Sequence, residues 1–173
     1  MRCFISIDIP EKVQKEIIRI QEQLPEFYGK KTEPENLHLT LKFLGEISEE
    51  RVEEIKKRLE EIKFNKVEAE IDSLGVFSEK FIRIIWLHLA NCEGLQKKID
   101  ESLGDLLEQE KKFMSHLTIA RVKNVRDKKK FLEELDKIKT TEIKFIVSSF
   151  KLKESVLKPE RVMYKTLQNY FLD

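Results

Sequence analysis

Apolar residues recur along this chain with two alternating periods, and the order of those periods is repeated once. Arg2–Ile9 is rich in β-formers, and Pro10 follows at a position suited to a helix start. Val13, Ile17, Ile20 and Leu24 then keep helical spacing, which predicts a helix over 10–24. Pro25–Asn36 has no period and reads as a loop. Leu37–Leu44 predicts a strand, broken by Gly45. Ser48 can cap a second helix, with Glu49 and Glu50 in its first turn and Val52, Ile55, Leu59 and Ile62 as its stripe. Val67–Phe77 returns to strand. The second half repeats this order. Phe81–Leu89 is a strand, and Asn91 can cap a helix with stripe Leu95, Ile99, Leu103 and Leu106. A charged turn (Glu108–Lys112) precedes a strand at Met114–Val122. Phe131, Leu132, Leu135 and Ile138 mark a fourth helix, and Ile143–Leu152 and Val162–Leu167 are closing strands. Each half reads β-α-β-α-β, and corresponding elements lie roughly 80 residues apart, which predicts a duplicated α+β architecture. The 173 residues suit a single domain made of two pseudo-symmetric lobes, near 1–77 and 78–173, that can exchange strands.

The second strand of each half begins alike, with His38-Leu39-Thr40-Leu41 and His116-Leu117-Thr118-Ile119. Residues two apart on a strand share a face. His38 and Thr40 therefore point one way and Leu39 and Leu41 the other, and the same holds for His116 and Thr118 against Leu117 and Ile119. For two of the three histidines to carry this pattern is roughly a one-in-a-thousand coincidence at ordinary composition. For either histidine alone, a satisfied strand residue beside a β-favouring threonine is the better reading. The matched pair in matched halves points instead to chemistry. His88 lacks the hydroxyl partner and is expected to be a packing or surface histidine.

Two imidazoles meeting across a cleft can act as base and acid on a phosphodiester near neutral pH, with each threonine hydroxyl donating to a non-bridging oxygen. Other chemistries fit less well. Cys3 and Cys92 form neither a disulfide framework nor a metal quartet, and two isolated histidines fall short of a catalytic zinc shell. Among 5 glycines there is no phosphate loop or dinucleotide fingerprint. No metal or cofactor is expected.

These residues sit within a wider resemblance. RCFISIDIP (Arg2–Pro10), PENLHLTLKFLGE (Pro34–Glu46), SHLTIARVK (Ser115–Lys123), Gly75–Phe77, Trp86-Leu87 and LKESVLKPERVMYKTL (Leu152–Leu167) resemble the two-histidine phosphoesterase superfamily. Within it, they are similar to the 2′-5′ RNA ligase / RNA 2′,3′-cyclic phosphodiesterase family. The resemblance implies a bilobed α+β fold, with two antiparallel-type sheets facing a central cleft and helices outside. It implies His38 and His116 as catalytic residues, with Thr40 and Thr118 holding the phosphate. The reaction implied is metal-independent hydrolysis of RNA 2′,3′-cyclic phosphate ends to 2′-phosphates, together with ATP-independent 2′-5′ joining of such ends to a 5′-hydroxyl. Arg121 matches a phosphate-binding arginine of the family, although regular parity turns it away from His116, so a bulge or the strand end must redirect it. Phe43, at the same offset, is either a base platform or a core aromatic. Lys42 has cleft parity and completes the candidate substrate-binding set. Lys30 and Lys31 stand where the family often has an aromatic residue, and Ser115 where it often has proline.

Two alternatives stay open. One is a phosphodiesterase for a small nucleotide or ADP-ribose cyclic phosphate, and the other is a non-catalytic RNA-binding module. The expected partner is RNA with cyclic phosphate ends, tRNA fragments among them, and the expected state is a cytoplasmic monomer. No uncharged run exceeds the nine residues Ile84–Cys92, so no membrane span is expected, and no signal peptide is read. A formal net charge of +1 says little, because a basic strip can sit inside a neutral total. Lys128–Lys130 and Lys56–Lys57 are expected to be solvated helix faces. The kind of charge says more: 25 Lys and 25 Glu against 6 Gln and 5 Asn is the composition of a protein from a hot environment. A calorimetric scan should place the melting temperature above about 65 °C, the upper end for mesophile domains; a lower value removes that reading.

Overall fold

The computed structural model describes residues 1–140 and 142–173. Among these residues, nine strands and four helices follow in the order β1 (Arg2–Asp8), α1 (Glu11–Glu22), β2 (Tyr28–Lys31), β3 (His38–Glu46), α2 (Glu49–Glu60), β4 (Val67–Val76), β5 (Ile84–Ala90), α3 (Glu93–Ser102), β6 (His116–Asn124), α4 (Lys128–Asp136), β7 (Ile143–Val147), β8 (Ser149–Leu157) and β9 (Val162–Phe171). A 3-10 turn, Pro34–Asn36, precedes β3. The strands run β7-β4-β5-β6 in one lobe and β3-β1-β8-β9 in the other, with all neighbours antiparallel. The two sheets are joined at one pairing, Leu39 with Leu117, both fully buried. From that hinge the sheets part, and β2 lies along the freed edge of β6, with Lys30 opposite Arg121.

The lobes in space are not the halves in sequence. β4, from the first half, pairs with β5 and β7 of the second, while β8 pairs with β1. Helices cross over as well: α1 packs on β6 and β7, whereas α3 packs on β3 and α2. The helices bury the predicted stripes (Val13, Ile17 and Ile20; Val52, Ile55 and Leu59; Leu95 and Ile99; Phe131 and Leu135). Ser48 caps α2 through the Arg51 amide, and Asp127 caps α4 through that of Lys130. No helix among the described residues is long and apolar enough to cross a membrane.

Three local expectations are corrected. The segment 25–36 contains β2, whose four residues are all exposed and so leave no hydrophobic period to detect. The single strand expected over Ile143–Leu152 divides at Ser148 into β7 and β8, which belong to different lobes. Asn91 does not cap α3. It takes a positive φ of 76° and donates to the Glu68 carbonyl, and Cys92 occupies the cap position.

The two motif strands carry an extra residue at the same place. On β3 the ladder steps from Thr40 (opposite Ser6) to Lys42 (opposite Ile5), and on β6 from Thr118 (opposite Trp86) to Ala120 (opposite Ile85). The bulged residues are Leu41 and Ile119, and each is followed by a second buried residue, Lys42 or Ala120. Alternation therefore reverses after each bulge. Lys42, expected in the cleft, is turned the other way for this reason. Its ammonium is buried against α3, where it pairs with Asp100 and donates to the Glu108 carbonyl at 2.8 Å. The other Asp100 oxygen accepts from the Glu110 amide at 2.8 Å. Removing one partner of such a pair leaves a buried charge uncompensated. Lys42→Ala should cost about 3–5 kcal/mol in urea unfolding, and a loss below about 1 kcal/mol would show the pair to be solvent-screened.

Candidate active site

Reversed alternation brings motif side chains of both strands to one surface. His38 and Phe43 from β3, and His116, Thr118 and Arg121 from β6, line a cleft of about 500 Å³ between the two sheets. Lys30, Lys31 and Thr32 of the β2 segment form part of its wall, as do Tyr164 of β9 and Arg161 just before it. Thr40 lies on the His38 side of β3, half-buried opposite Ser6, and does not itself line the open volume. Phe43 is 73% exposed, which overturns the core alternative for this residue. The bulge that the orientation of Arg121 required is the one at Ile119.

The two imidazoles are held alike. His38 Nδ1 lies 2.7 Å from the Asn36 carbonyl and His116 Nδ1 lies 2.8 Å from the Met114 carbonyl, each two residues upstream. A carbonyl oxygen only accepts, so Nδ1 carries the proton in both rings. Nε2 is left on each to exchange a proton with a ligand. An aromatic ring stands edge-on to each: Tyr164 at 5.0 Å and 74° from His38, and Phe77 at 4.9 Å and 87° from His116. Phe4 adds a second contact to His38 at 5.3 Å. Behind Phe77 lies Trp86 at 5.7 Å, whose ring runs across Gly75 so closely that a Cβ there would sit 2.7 Å from it. Backbone carbonyls freed by the β6 bulge are satisfied from outside the strand. The Thr32 hydroxyl donates to Thr118 O, and both the Thr32 amide and the buried Gln21 side chain donate to Ile119 O, each at 2.9 Å.

Electrostatic surroundings differ between the two. Burial holds the His38 pKa below the ordinary imidazole value; the Asn36 hydrogen bond and nearby Asp8 oppose the shift, while Lys153 adds to it. Asp8, directly across the ladder from His38, pairs with Lys151 at 2.6 Å and with Lys153. Burial alone would raise the Asp8 carboxyl, but those two hydrogen bonds outweigh it and hold it below the usual carboxylate range. His88 occupies the corresponding place across from His116. It is a half-buried surface histidine, with Nδ1 2.7 Å from Asp72 and Nε2 3.8 Å from Glu93. Among the described residues, no group of three or more His, Cys, Asp or Glu side chains is placed to hold a metal ion.

Sequence reasoning passed over Tyr164, Phe77, Phe4 and Asp8 as neighbours of the two histidines. All four lie inside stretches that carry the family resemblance, but none has a spacing signal that ties it to either histidine.

A family model described as LigT like Phosphoesterase matches residues 7–86 and 90–164. Over 175 residues the chain is 35% identical to an RNA 2′,3′-cyclic phosphodiesterase of Methanocaldococcus jannaschii, covering 98% of this chain and 100% of that protein. A protein of the same name from Thermotoga maritima is 36% identical, covering 96% and 93%. The crystal structure of TT0787 of Thermus thermophilus superposes with a TM-score of 0.85 at 24% identity, over 99% of this chain and 97% of that one. The duplicated motif strands, the shared cleft and a family match over most of the length agree: this chain belongs to the LigT-like phosphoesterase family.

Proposed function

We propose that this chain hydrolyses RNA 2′,3′-cyclic phosphate ends to 2′-phosphates, with His38 and His116 as its acid–base pair. The observation that carries this reading is the matched state of the two rings, each with Nδ1–H tied to a carbonyl and both lining one cleft. One Nε2 takes a proton from the attacking water. The other, protonated, gives a proton to the 3′-oxygen as the P–O3′ bond breaks, leaving a 2′-phosphate and a 3′-hydroxyl. Charge that builds on the non-bridging oxygens meets the Thr118 hydroxyl and the Arg121 guanidinium, with Thr40 assigned the matching role beside His38. Phe43 offers an exposed ring on which a base can stack. A 5′-hydroxyl in place of water gives a 2′-5′ phosphodiester by the same proton transfers and without ATP. The relatives named RNA 2′,3′-cyclic phosphodiesterase support this choice of substrate. We assign the activity to a monomer in the cytoplasm, acting on RNA ends such as those of tRNA fragments.

The decisive experiment is incubation with an RNA ending in 2′,3′-cyclic phosphate, without ATP and with EDTA present. The expected product is a 2′-phosphate, and His38→Ala or His116→Ala should each lower kcat by roughly 10²–10⁴-fold. Full turnover by the double variant, or a requirement for added metal, overturns the mechanism.

The pH dependence follows from the burial of His38. Because its charged form is disfavoured, the ring stays neutral down to a lower pH than a free imidazole, whose pKa is about 6.5. NMR titration of the free protein should give His38 a midpoint below that value, and kcat/KM should pass through a maximum with pH. A His38 midpoint above 6.5, or a rate that is flat on both limbs, contradicts the assignment.

A further inference from the structure

Cationic side chains are distributed unevenly over this molecule. Against 25 lysines there are eight arginines, and three of these, Arg2, Arg121 and Arg161, line the cleft. Arg19, Arg51 and Arg58 pair with carboxylates elsewhere. Among the described residues no ion pair holds the three in the cleft. Arg121, three residues past Thr118, is accounted for at the reacting phosphate. Arg2 and Arg161 are not.

Both of these lie at the same end of the cleft. Arg2 precedes Phe4 by two residues on β1, on the same face and about 7 Å further along the strand. Arg161 precedes Tyr164 by three residues, at the turn between β8 and β9. Phe4 and Tyr164 are the two rings packed against His38. Arg2 and Arg161 therefore line the cleft on the side of Phe4 and Tyr164, apart from His116, Thr118 and Arg121 of β6. Two nearby acids are already engaged. Glu33 pairs with Lys30 at 2.9 Å, with Arg161 a lesser influence on its carboxyl, and Glu46, opposite Arg2 in the ladder, lies 3.5 Å from the N-terminal amine. Phe43 sits directly across from Phe4, flanking this path with an exposed ring.

A planar guanidinium fork matches two oxygens of one phosphate, a fit that a lysine ammonium does not provide. We propose that Arg2 and Arg161 hold the phosphodiester joining the terminal cyclic-phosphate nucleotide to its 5′ neighbour, so that the site selects oligonucleotide ends over mononucleotide cyclic phosphates. This rests on the cyclic phosphodiesterase reading given above. A mononucleotide carries one phosphate, which the histidines, threonines and Arg121 engage; it has nothing to offer the two outer arginines.

The test compares kcat/KM for adenosine 2′,3′-cyclic phosphate with that for a dinucleotide ending in the same cyclic adenosine. Wild-type protein should prefer the dinucleotide by roughly 10-fold or more, the worth of one well-placed charge-assisted contact. In the Arg2→Ala, Arg161→Ala double variant the preference should fall towards one, mainly through the KM for the dinucleotide, and Arg→Lys at both sites should give an intermediate value. The salt dependence of the dinucleotide reaction should also lose about one phosphate's share of its slope. Equal use of the two substrates by wild type, or a preference that survives the double variant, overturns the subsite while leaving the phosphodiesterase reading intact. Turnover of neither substrate by wild type overturns both.

Discussion

An extra residue at the same place on each of two strands determines which side chains meet in the cleft. Regular pleating places histidine and threonine on one face and turns the residue five past the histidine to the other. The bulges at Leu41 and Ile119 reverse that alternation, so Phe43 and Arg121 rejoin the face of their histidines. They also leave two consecutive buried residues on each strand, which is the burial pattern observed on β3 and again, position for position, on β6. The cost is a set of carbonyls lacking ladder partners, and on β6 the side chain of Gln21 and the Thr32 segment satisfy them. Gln21 is thus a buried polar residue on an otherwise apolar helix stripe because the bulge needs a donor there.

The same bulges mark where sequence reading succeeds and where it stops. Helices with a clear apolar stripe were legible, as were β3 and β6 up to their threonines, because period and burial agree there. His38, Thr118 and the cleft itself follow from that part of the pattern. Beyond the bulge, parity misplaces Lys42, since nothing in HLTLKFLGE distinguishes a strand with an extra residue from one without. β2 was invisible for a different reason: all four of its residues are exposed, so its backbone pairing to β6 leaves no trace in the hydrophobic pattern. The division at Ser148 was hidden because β7 and β8 are both apolar and adjacent, and only the topology sends them to different lobes. Tyr164 and Phe77 reach the histidines from distant strands, a relation that no local spacing encodes.

Duplication has kept the motif and changed its surroundings. Both rings share one tautomer, one edge-on aromatic neighbour and one type of backbone acceptor. Their cross-strand neighbours have diverged, to Asp8 with two lysines on one side and to His88 with two carboxylates on the other. The residues that follow the bulges have diverged too: Lys42 pairs with Asp100 beneath α3, whereas its counterpart Ala120 is a small apolar residue in the core.

The crossing of β4 and β8 between lobes bears on how the chain reaches this state. Cys3 can complete its ladder only once Glu154 has been synthesised and has arrived beside it, and Tyr28 must await Asn124. The β7-β4-β5-β6 sheet comes from the contiguous stretch 67–147, whereas the β3-β1-β8-β9 sheet joins the two ends of the chain and must close a large loop before its pairing is rewarded. The lobe carrying His116 is therefore expected to take shape first during synthesis, while the lobe carrying His38 stays incomplete until the final two strands emerge.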